Sequence, residues 1–460
     1  MSIFVRRPLL PSAPHYRPFF TAMAIAGPPP SIVGALRCQR DSYLQTLQTE
    51  VVSCSEYSPQ TNGNSKSNKS TDPKKSVQNG TKAWLIEFRD SILFPEGGGQ
   101  PTDHGSITPL TLASSESIPI TSVQRHGLRC VHLSPQPLDP GTLVRQDVNF
   151  KRRWDHMQQH TGQHLLSAIM DSMNLDTLSW SMGADGEMNY VEVVRRPTND
   201  EIRTIQERCN AAIRQNLPIT VETPNDAKVD SLPEDYDQEK GIVRVINIGG
   251  LDSNPCCGTH LKQTSHISLI LLHHTQTARS TTCRLYFTAG DRAINLAAES
   301  INSLRSISVS LSCGNAPSDV QSNVAKLGES VAEARQKEKK LLKEIAKFEG
   351  DRIKAVLETQ NRAFSHRGTD GLDFVNLIWT EVKEAAKERG VVVLASGEGK
   401  SVGHLMIIGQ EDLVEQLSAK VKVVVSGIKG GGKGKWQGKV QTWKKGEIKA
   451  LKQLVEGFEN

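Results

Sequence analysis

The sequence predicts an α+β protein, in which helices pack on antiparallel strands rather than alternating with parallel ones. Three observations lead there. Helix-like stretches at 155–173 and 198–215 separate short strand-like runs at 189–194, 218–222 and 243–248. Upstream of residue 148 the pattern is β-like. After Asp291 an apolar 4-3 repeat takes over. With 460 residues, the chain holds roughly two to four domains.

Residues 1–35 contain Arg6, Arg7 and Arg17 and no acidic residue, the composition of a mitochondrial presequence. Pro8, Pro11, Pro14 and Pro18 interrupt any amphipathic helix there, so the expectation is a disordered extension on a cytoplasmic protein. Mitochondrial import through this extension is the alternative. From Leu36, strand-like runs fall at 47–52, 84–88, 91–94 and 106–108. They are interrupted at 55–80 by Ser, Asn, Lys and Gly, a composition unable to bury a core. Gly97, Gly98, Gly99, Gln100 and Pro101 then form a sharp loop.

In the next segment, 148–290, Ile202, Ile205 and Ile213 give the second helix its packing face. Beyond it, Val320, Val324, Leu327, Val331, Ala334, Leu341, Ile345 and Phe348 form a heptad seam, broken at Glu338. Its expected cover is the preceding helix (Ile294, Leu304, Ile307), folded back at a turn of Gly314 to Pro317. The expected state is therefore a monomer or weak homodimer. Strands at 391–395 and 404–408 and a helix at 410–417 predict a small C-terminal α/β domain. Near its end, Lys433, Lys435 and Lys439 alternate with glycines around Trp436, a pattern that suits a phosphate backbone and a stacked base as well as it suits a solvated loop.

The chemistry is concentrated in two short stretches. His160 and His164 stand four residues apart, one turn apart on one helix face. Cys256 and His260 repeat that offset. Two half-sites offering three nitrogens and a sulfur suit tetrahedral Zn2+. His156 makes a second pair with His160, so the helix alone does not identify its ligands. The net charge of +5 makes no global case for nucleic acid. Eight irregularly spaced cysteines, without a signal-peptide pattern, point to a reducing compartment. No apolar run is long enough to cross a bilayer, so no membrane partner is expected.

His160-Thr-Gly-Gln-His-Leu-Leu166, followed by Cys256-Cys-Gly-Thr-His260, resembles the editing domain shared by alanyl- and threonyl-tRNA synthetases, and most of all its free-standing alanyl-tRNA editing (AlaX-type) form. The glycine loop at 97–99 is similar to that of the small β-barrel preceding this domain in the family. The resemblance runs from about Leu36 to about Gly290, with a weaker echo to the C-terminus, and together with the patterns above it gives five segments: the extension (1–35), a β-barrel domain (36–147) with the insertion 55–80, a zinc-binding editing domain (148–290), a helical hairpin or coiled coil (291–355), and the C-terminal domain (356–460). It implies zinc on His160, His164, Cys256 and His260, a substrate-entry role for Gly97, Gly98, Gly99 and Gln100, and tRNA contacts from Lys433, Lys435, Trp436 and Lys439.

The implied activity is hydrolysis of mischarged tRNA(Ala), chiefly Ser-tRNA(Ala), with Gly-tRNA(Ala) as a further substrate. No aminoacylation domain is recognisable, so the protein is expected to act in trans. Thr161 and Gln163, between the histidines, are candidates for reading the serine hydroxyl, and His156 is a candidate spare base. Gln163 departs from the threonine or serine common in full-length synthetases, which leaves the exact amino acid open. Two other readings stand beside this one: a tRNA-binding protein whose zinc is structural, and a zinc hydrolase of an unrelated ester.

Overall fold

The structure, a computed structural model, describes residues 29–57, 82–110, 116–224, 241–279 and 281–459. Most of the expected N-terminal extension and of the 55–80 insertion therefore lies outside the described residues. The fold is a mixed α+β one, in two compact units, 1–302 and 303–460. Among the described residues no helix is long and apolar enough to cross a membrane.

The first unit opens with α1 (Arg37–Arg40) and the strands β1 (Thr46–Glu56), β2 (Trp84–Phe88), β3 (Gly105–Pro109), β4 (Ile118–Ile120), β5 (Ser122–His126), β6 (Arg129–Ser134) and β7 (Leu143–Val148). These seven strands pair in the order β4-β3-β7-β1-β2-β6-β5 and curl into a nearly closed barrel. Its interior is filled by Leu36, Val51, Ile86, Ile107, Ile120 and Val144. Val33, assigned from sequence to the disordered extension, is buried in this core, with its amide donating to the Leu128 carbonyl. Ile92, Leu93 and Phe94, expected as a strand, are fully buried but irregular. Side chains satisfy their backbone in place of a ladder: the Ile92 amide donates to Gln146 and that of Phe94 to Asp103.

A second set of elements follows: α2 (Phe150–Asp171), β8 (Thr177–Ser181), β9 (Asn189–Val193), α3 (Asn199–Gln215), β10 (Ile219–Glu222), β11 (Val245–Ile248), β12 (Asp252–Pro255), β13 (Ile270–Thr277), β14 (Cys283–Ala289) and α4 (Gly290–Leu311). Asn149 caps α2 by accepting from the Arg152 amide, and so starts the helix five residues earlier than its apolar period suggests. Thr198 and Glu201 form a capping box on α3. Leu165, Leu166 and Ile169 of α2 and Ile205 and Ile213 of α3 pack on Val191, Val193, Leu285 and Phe287 of the sheet β13-β14-β9-β8. Burying each of these aliphatic side chains contributes about 1.5–3 kcal/mol. A separate three-stranded sheet, β10-β11-β12, leads to Cys256.

The boundary between the units falls within α4. The second unit contains α5 (Pro317–Gln360), β15 (Arg362–Arg367), α6 (Leu372–Arg389), β16 (Val391–Ser396), β17 (Gly403–Gly409), α7 (Glu411–Val424), β18 (Lys429–Gly431), β19 (Lys435–Val440) and α8 (Glu447–Glu456). Its sheet, β15-β16-β17-β19-β18, is parallel only between β15 and β16, so the expected α/β character is confined to one strand pair. The 44-residue α5 contains the predicted seam, but Val324, Leu327, Val331, Leu341, Ile345 and Phe348 all stand exposed. The face of α5 that is buried, against α6 and the sheet, is the offset stripe Ala346, Ile353 and Leu357. The seam and the core face diverge because the partners of α5 here are α6 and β15.

One buried ion pair joins the barrel to α2. Arg153, fully buried, donates through Nε to both Asp103 oxygens (3.1 and 2.9 Å) and through Nη2 to the same carboxylate. Its other contacts are the carbonyls of Ile92 (2.6 Å) and Ser42 (3.1 Å). Arg153→Met should lower the unfolding free energy by about 3–5 kcal/mol, because it strands a buried carboxylate. Urea denaturation measures this. The double change Asp103→Leu, Arg153→Met should recover much of the loss, since no lone charge remains buried.

Candidate metal centre

The centre is assembled by α2 and by the turn after β12. His160 and His164 face the same side of α2, while Cys256 and His260 lie on the turn. Their donor atoms lie within 4.8 Å of one another. Cys256 Sγ is 3.3 Å from His160 Nε2 and 3.2 Å from His260 Nε2, a spacing suited to ligands around a single ion. This is the set that the matched offsets predicted.

Each imidazole is held from behind, which turns its Nε2 inward. The amide of Gln100 is oriented unambiguously. Its Nε2 donates to Thr259 Oγ1 (2.8 Å), and its Oε1 accepts from the Thr259 backbone amide (3.0 Å). The same Oε1, 3.0 Å from His160 Nδ1, fixes that ring's proton on Nδ1. His164 Nδ1 lies 3.0 Å from an Asp252 oxygen, and His260 Nδ1 lies 3.4 Å from Thr161 Oγ1. The turn itself is clamped by Arg244, which donates to the carbonyls of Cys256 (3.2 Å), Gly258 (2.8 Å) and Gln39 (2.8 Å). Gly258 is required by contact: a Cβ there would sit 2.3 Å from the His160 ring.

Electrostatics favour a thiolate among imidazoles. Burial alone would raise the Cys256 pKa, but His160, His260 and His164 outweigh it and hold the thiol well below its ordinary value. Burial lowers His164, yet Cys256 and the Asp252 carboxylate reverse this and bring it to about 10. Burial takes His260 down to about 3. Neighbouring Cys257 goes the other way, pushed up to about 12 by burial and then by Cys256, so it stays a neutral thiol. An ionised sulfur among inward-facing nitrogens is the donor set a borderline-soft divalent ion takes.

Above the centre lies a cavity of about 190 Å³, bordered by Gly98, Arg125, Trp180 and Cys257 as well as by His160 and Cys256. The glycine loop is its roof. Gly98 sits at φ +60°, where a Cβ would meet Cys257 Sγ at 3.0 Å, and Gly99 lies against the Trp180 ring. Trp180 also packs on His160, with centroids 4.9 Å apart.

Other expected site residues are placed elsewhere. His156 is buried outside the cluster, and its pKa falls to about 2 through burial and the charges of Arg152, Arg292 and Arg153. A base so depressed takes up no proton near neutrality, which removes it as a spare base. Thr161 accepts from the Leu261 amide, and Gln163 donates to Ser167, so both are engaged away from the cavity lining. In the second unit Trp436 is only 2% exposed and belongs to the core, where its ring cannot stack on a base. Lys433 and Lys439 are exposed, while Lys435 is half-buried with its Nζ 3.4 Å from the centroid of the Trp379 ring.

Sequence reading missed Asp252, Arg244, Arg125 and Trp180. Only Asp252 carried a signal, four residues before Cys256 on the same strand-to-turn segment. Asp252→Ala should weaken binding of added Zn2+ about 10–100-fold, because it removes the acceptor that orients His164. Competition against a chromogenic chelator would measure it, and an unchanged affinity would leave Asp252 without that role.

Comparison with known proteins places the chain in a family. Residues 243–286 match the threonyl and alanyl tRNA synthetase second additional domain. The chain is 34% identical to the putative alanyl-tRNA editing protein alaX of Saccharomyces cerevisiae, over 92% of this chain and 96% of that protein. It is 33% identical to the alanyl-tRNA editing protein Aarsd1 of Rattus norvegicus, over 91% and 97%. Similarity to the alanine–tRNA ligase of Thermococcus kodakarensis is 27%, over 81% of this chain and 41% of the ligase. The chain belongs to the alanyl-tRNA editing protein family.

Proposed function

We propose that this protein is a trans-acting aminoacyl-tRNA deacylase that removes serine from mischarged tRNA(Ala), with glycine as a further substrate, using one zinc ion. The observation that carries the reading is the convergence of His160, His164, Cys256 and His260 under the glycine loop, at the floor of a small cavity. The donor chemistry fits zinc: every Nδ1 is engaged behind the ring, and Sγ and the Nε2 atoms face one another. Bound there, zinc supplies a Lewis acid beside the ester.

The protein's own residues do the rest. An aminoacyl ester is already activated, so hydrolysis needs orientation and charge stabilisation rather than a covalent nucleophile. Gln100, Asp252 and Thr161 hold the imidazoles still, which keeps the site from reorganising as charge develops. Arg125, on the cavity wall, places a cation near the ester. Trp180 and the 97–99 loop narrow the entrance and keep out bulk solvent, leaving the single water that attacks the ester carbon as the ribose oxygen departs with its proton. A 190 Å³ space suits a small aminoacyl group, and the neutral Cys257 thiol presents a weak donor to it.

In the second unit, Lys429, Lys433 and Lys439 are exposed on or beside the β18–β19 hairpin, where Lys429 and Lys439 are cross-strand partners. They are proposed as tRNA phosphate contacts, with Trp436 withdrawn from that role. A second reading is favoured by one fact: four protein ligands close a tetrahedral zinc, as structural sites do. On that reading the protein binds tRNA without hydrolysing it.

Deacylation of Ser-tRNA(Ala) beside Ala-tRNA(Ala) by the zinc-loaded protein decides between the two. Rapid release of serine with little release of alanine is expected, and no release of either would leave the structural-zinc reading. The double variant His164→Ala, Cys256→Ser should lose both zinc and activity, whereas Cys257→Ser should keep its zinc by elemental analysis. Replacing Lys429, Lys433 and Lys439 with alanine should raise KM for charged tRNA and reduce the slope of log KM against log salt by about 3.

A further inference from the structure

The sheet β13-β14-β9-β8 has two unlike faces. One is apolar and covered by α2 and α3. On the other, where small polar side chains would suffice, four planar groups form a row. Tyr190 of β9 and Tyr286 of β14 are direct cross-strand partners, with rings 5.8 Å apart. His274, beside the β13 bulge, stacks on Tyr286 at 4.6 Å and 17°. The Arg284 guanidinium lies over the Tyr190 ring at 4.5 Å. His274 is exposed, and Tyr190, Tyr286 and Arg284 are half-buried.

We propose that this face is a stacking platform for unpaired RNA, and that it receives the single-stranded 3′ end of the tRNA; the tRNA assignment rests on the function proposed above. Cross-strand aromatic pairs stabilise a sheet wherever they occur. Here, however, the row runs across three strands, includes a guanidinium, and lies on the uncovered face. Flat π-surfaces bind bases without regard to sequence, and guanidinium groups add charge and stacking. The surrounding charge favours phosphate: Arg279 and Arg196 are exposed on the flanking segments, while the Glu192 carboxylate accepts from Thr282 (2.8 Å) and lies 3.7 Å from Nε of Arg284, its cross-strand partner, so that the three arginines outnumber it. A protein partner would call for a contiguous apolar patch, which this face does not offer.

Continuity with the cavity is the second argument. β8 is the edge strand of the sheet. Its Ser181 pairs with Tyr190 on the platform face, while the preceding residue, Trp180, faces the opposite side and lines the cavity. Successive residues of a strand point to opposite faces. A flexible strand stacked on Tyr286 and Tyr190 therefore reaches the centre by turning around one edge strand.

The test measures fluorescence anisotropy of a labelled, unpaired oligoribonucleotide ending in CCA against the full-length, zinc-loaded protein. Tyr190→Ala, Tyr286→Ala should weaken binding about tenfold or more. Tyr190→Phe, Tyr286→Phe should bind nearly as the unmodified protein does, because stacking is kept. Arg284→Gln should weaken binding and lower its salt dependence. If the alanine variant fails to fold by circular dichroism, His274→Ala and Arg284→Gln decide the matter by the same measurement. Unchanged affinity in the folded alanine variant overturns the platform, as does equal affinity for a duplex or an equal loss in the phenylalanine variant. The oligonucleotide has no aminoacyl ester, so its binding is read independently of hydrolysis. Loss of RNA binding in the alanine variant of a protein with no deacylase activity would support the platform while refuting the proposed function.

Discussion

The buried pair Arg153–Asp103 is the constraint on which the centre depends. Arg153 lies seven residues, about two turns, before His160 on α2. Asp103 follows the glycine loop by four residues and also accepts from the Phe94 amide. One carboxylate therefore sets both the start of the ligand helix and the end of the loop that roofs it. Two further ties cross the same boundary: Gln39 Nε2 donates to the Cys257 carbonyl, and Arg244 donates to the Gln39 carbonyl. The barrel is thus part of the site, since it positions the loop, the His160 support and one side of the Cys256 turn. Fully buried charges are costly, and this one is retained where register between two substructures matters.

Around the four donors, rigidity comes from hydrogen bonds that are nearly all satisfied. Gln100 spends both ends of its amide on Thr259 and His160, so the glycine loop is tied to the turn by two contacts and to α2 by a third. A site that holds its dipoles in advance spends little free energy reorganising as charge appears on a reacting ester. The same economy explains the placement of Thr161, which accepts from the Leu261 amide and faces His260. A residue between two ligands on a buried helix face is recruited to support the site before it is free to contact substrate.

How much of this was legible in the sequence depends on the range of each interaction. The clustering of His160, His164, Cys256 and His260 was legible because both pairs are local: an i, i+4 offset on a helix and the same offset in a turn. The existence of α2, α3 and α5 was legible from apolar periodicity. The β8 strand was not: Leu178 and Trp180 do alternate with Thr177, Ser179 and Ser181, but the run is only five residues long and is specified by its pairing with β9, which carries a register shift. Asp252 acts on His164 across 88 residues of chain, Arg244 reaches Gln39 across 205, and Trp180 packs on His160 from a different element, and no local pattern encodes such partners. Trp436 shows the opposite failure. Its glycine- and lysine-rich surroundings read as a solvated loop, yet strict alternation in β19 turns Trp436, Gly438 and Val440 inward and Lys435, Gln437 and Lys439 outward.

The two-faced sheet of the first unit carries the same logic into function. A strand that must bury Val191 and Val193 on one side has its other side free for selection to use, at no cost to the core. Tyr190 and Glu192 occupy that side of β9, and Arg284 and Tyr286 occupy it on β14. Because side chains alternate strictly, a residue that lines the metal cavity and one that faces the solvent can be immediate neighbours, as Trp180 and Ser181 are. Recognition and chemistry can therefore share β8 while remaining separately mutable, since a change on one face leaves the packing of the other intact. On the function and platform proposed above, that separation would let a substrate's recognition strand and its reactive ester be handled within one small unit, on opposite sides of a single strand.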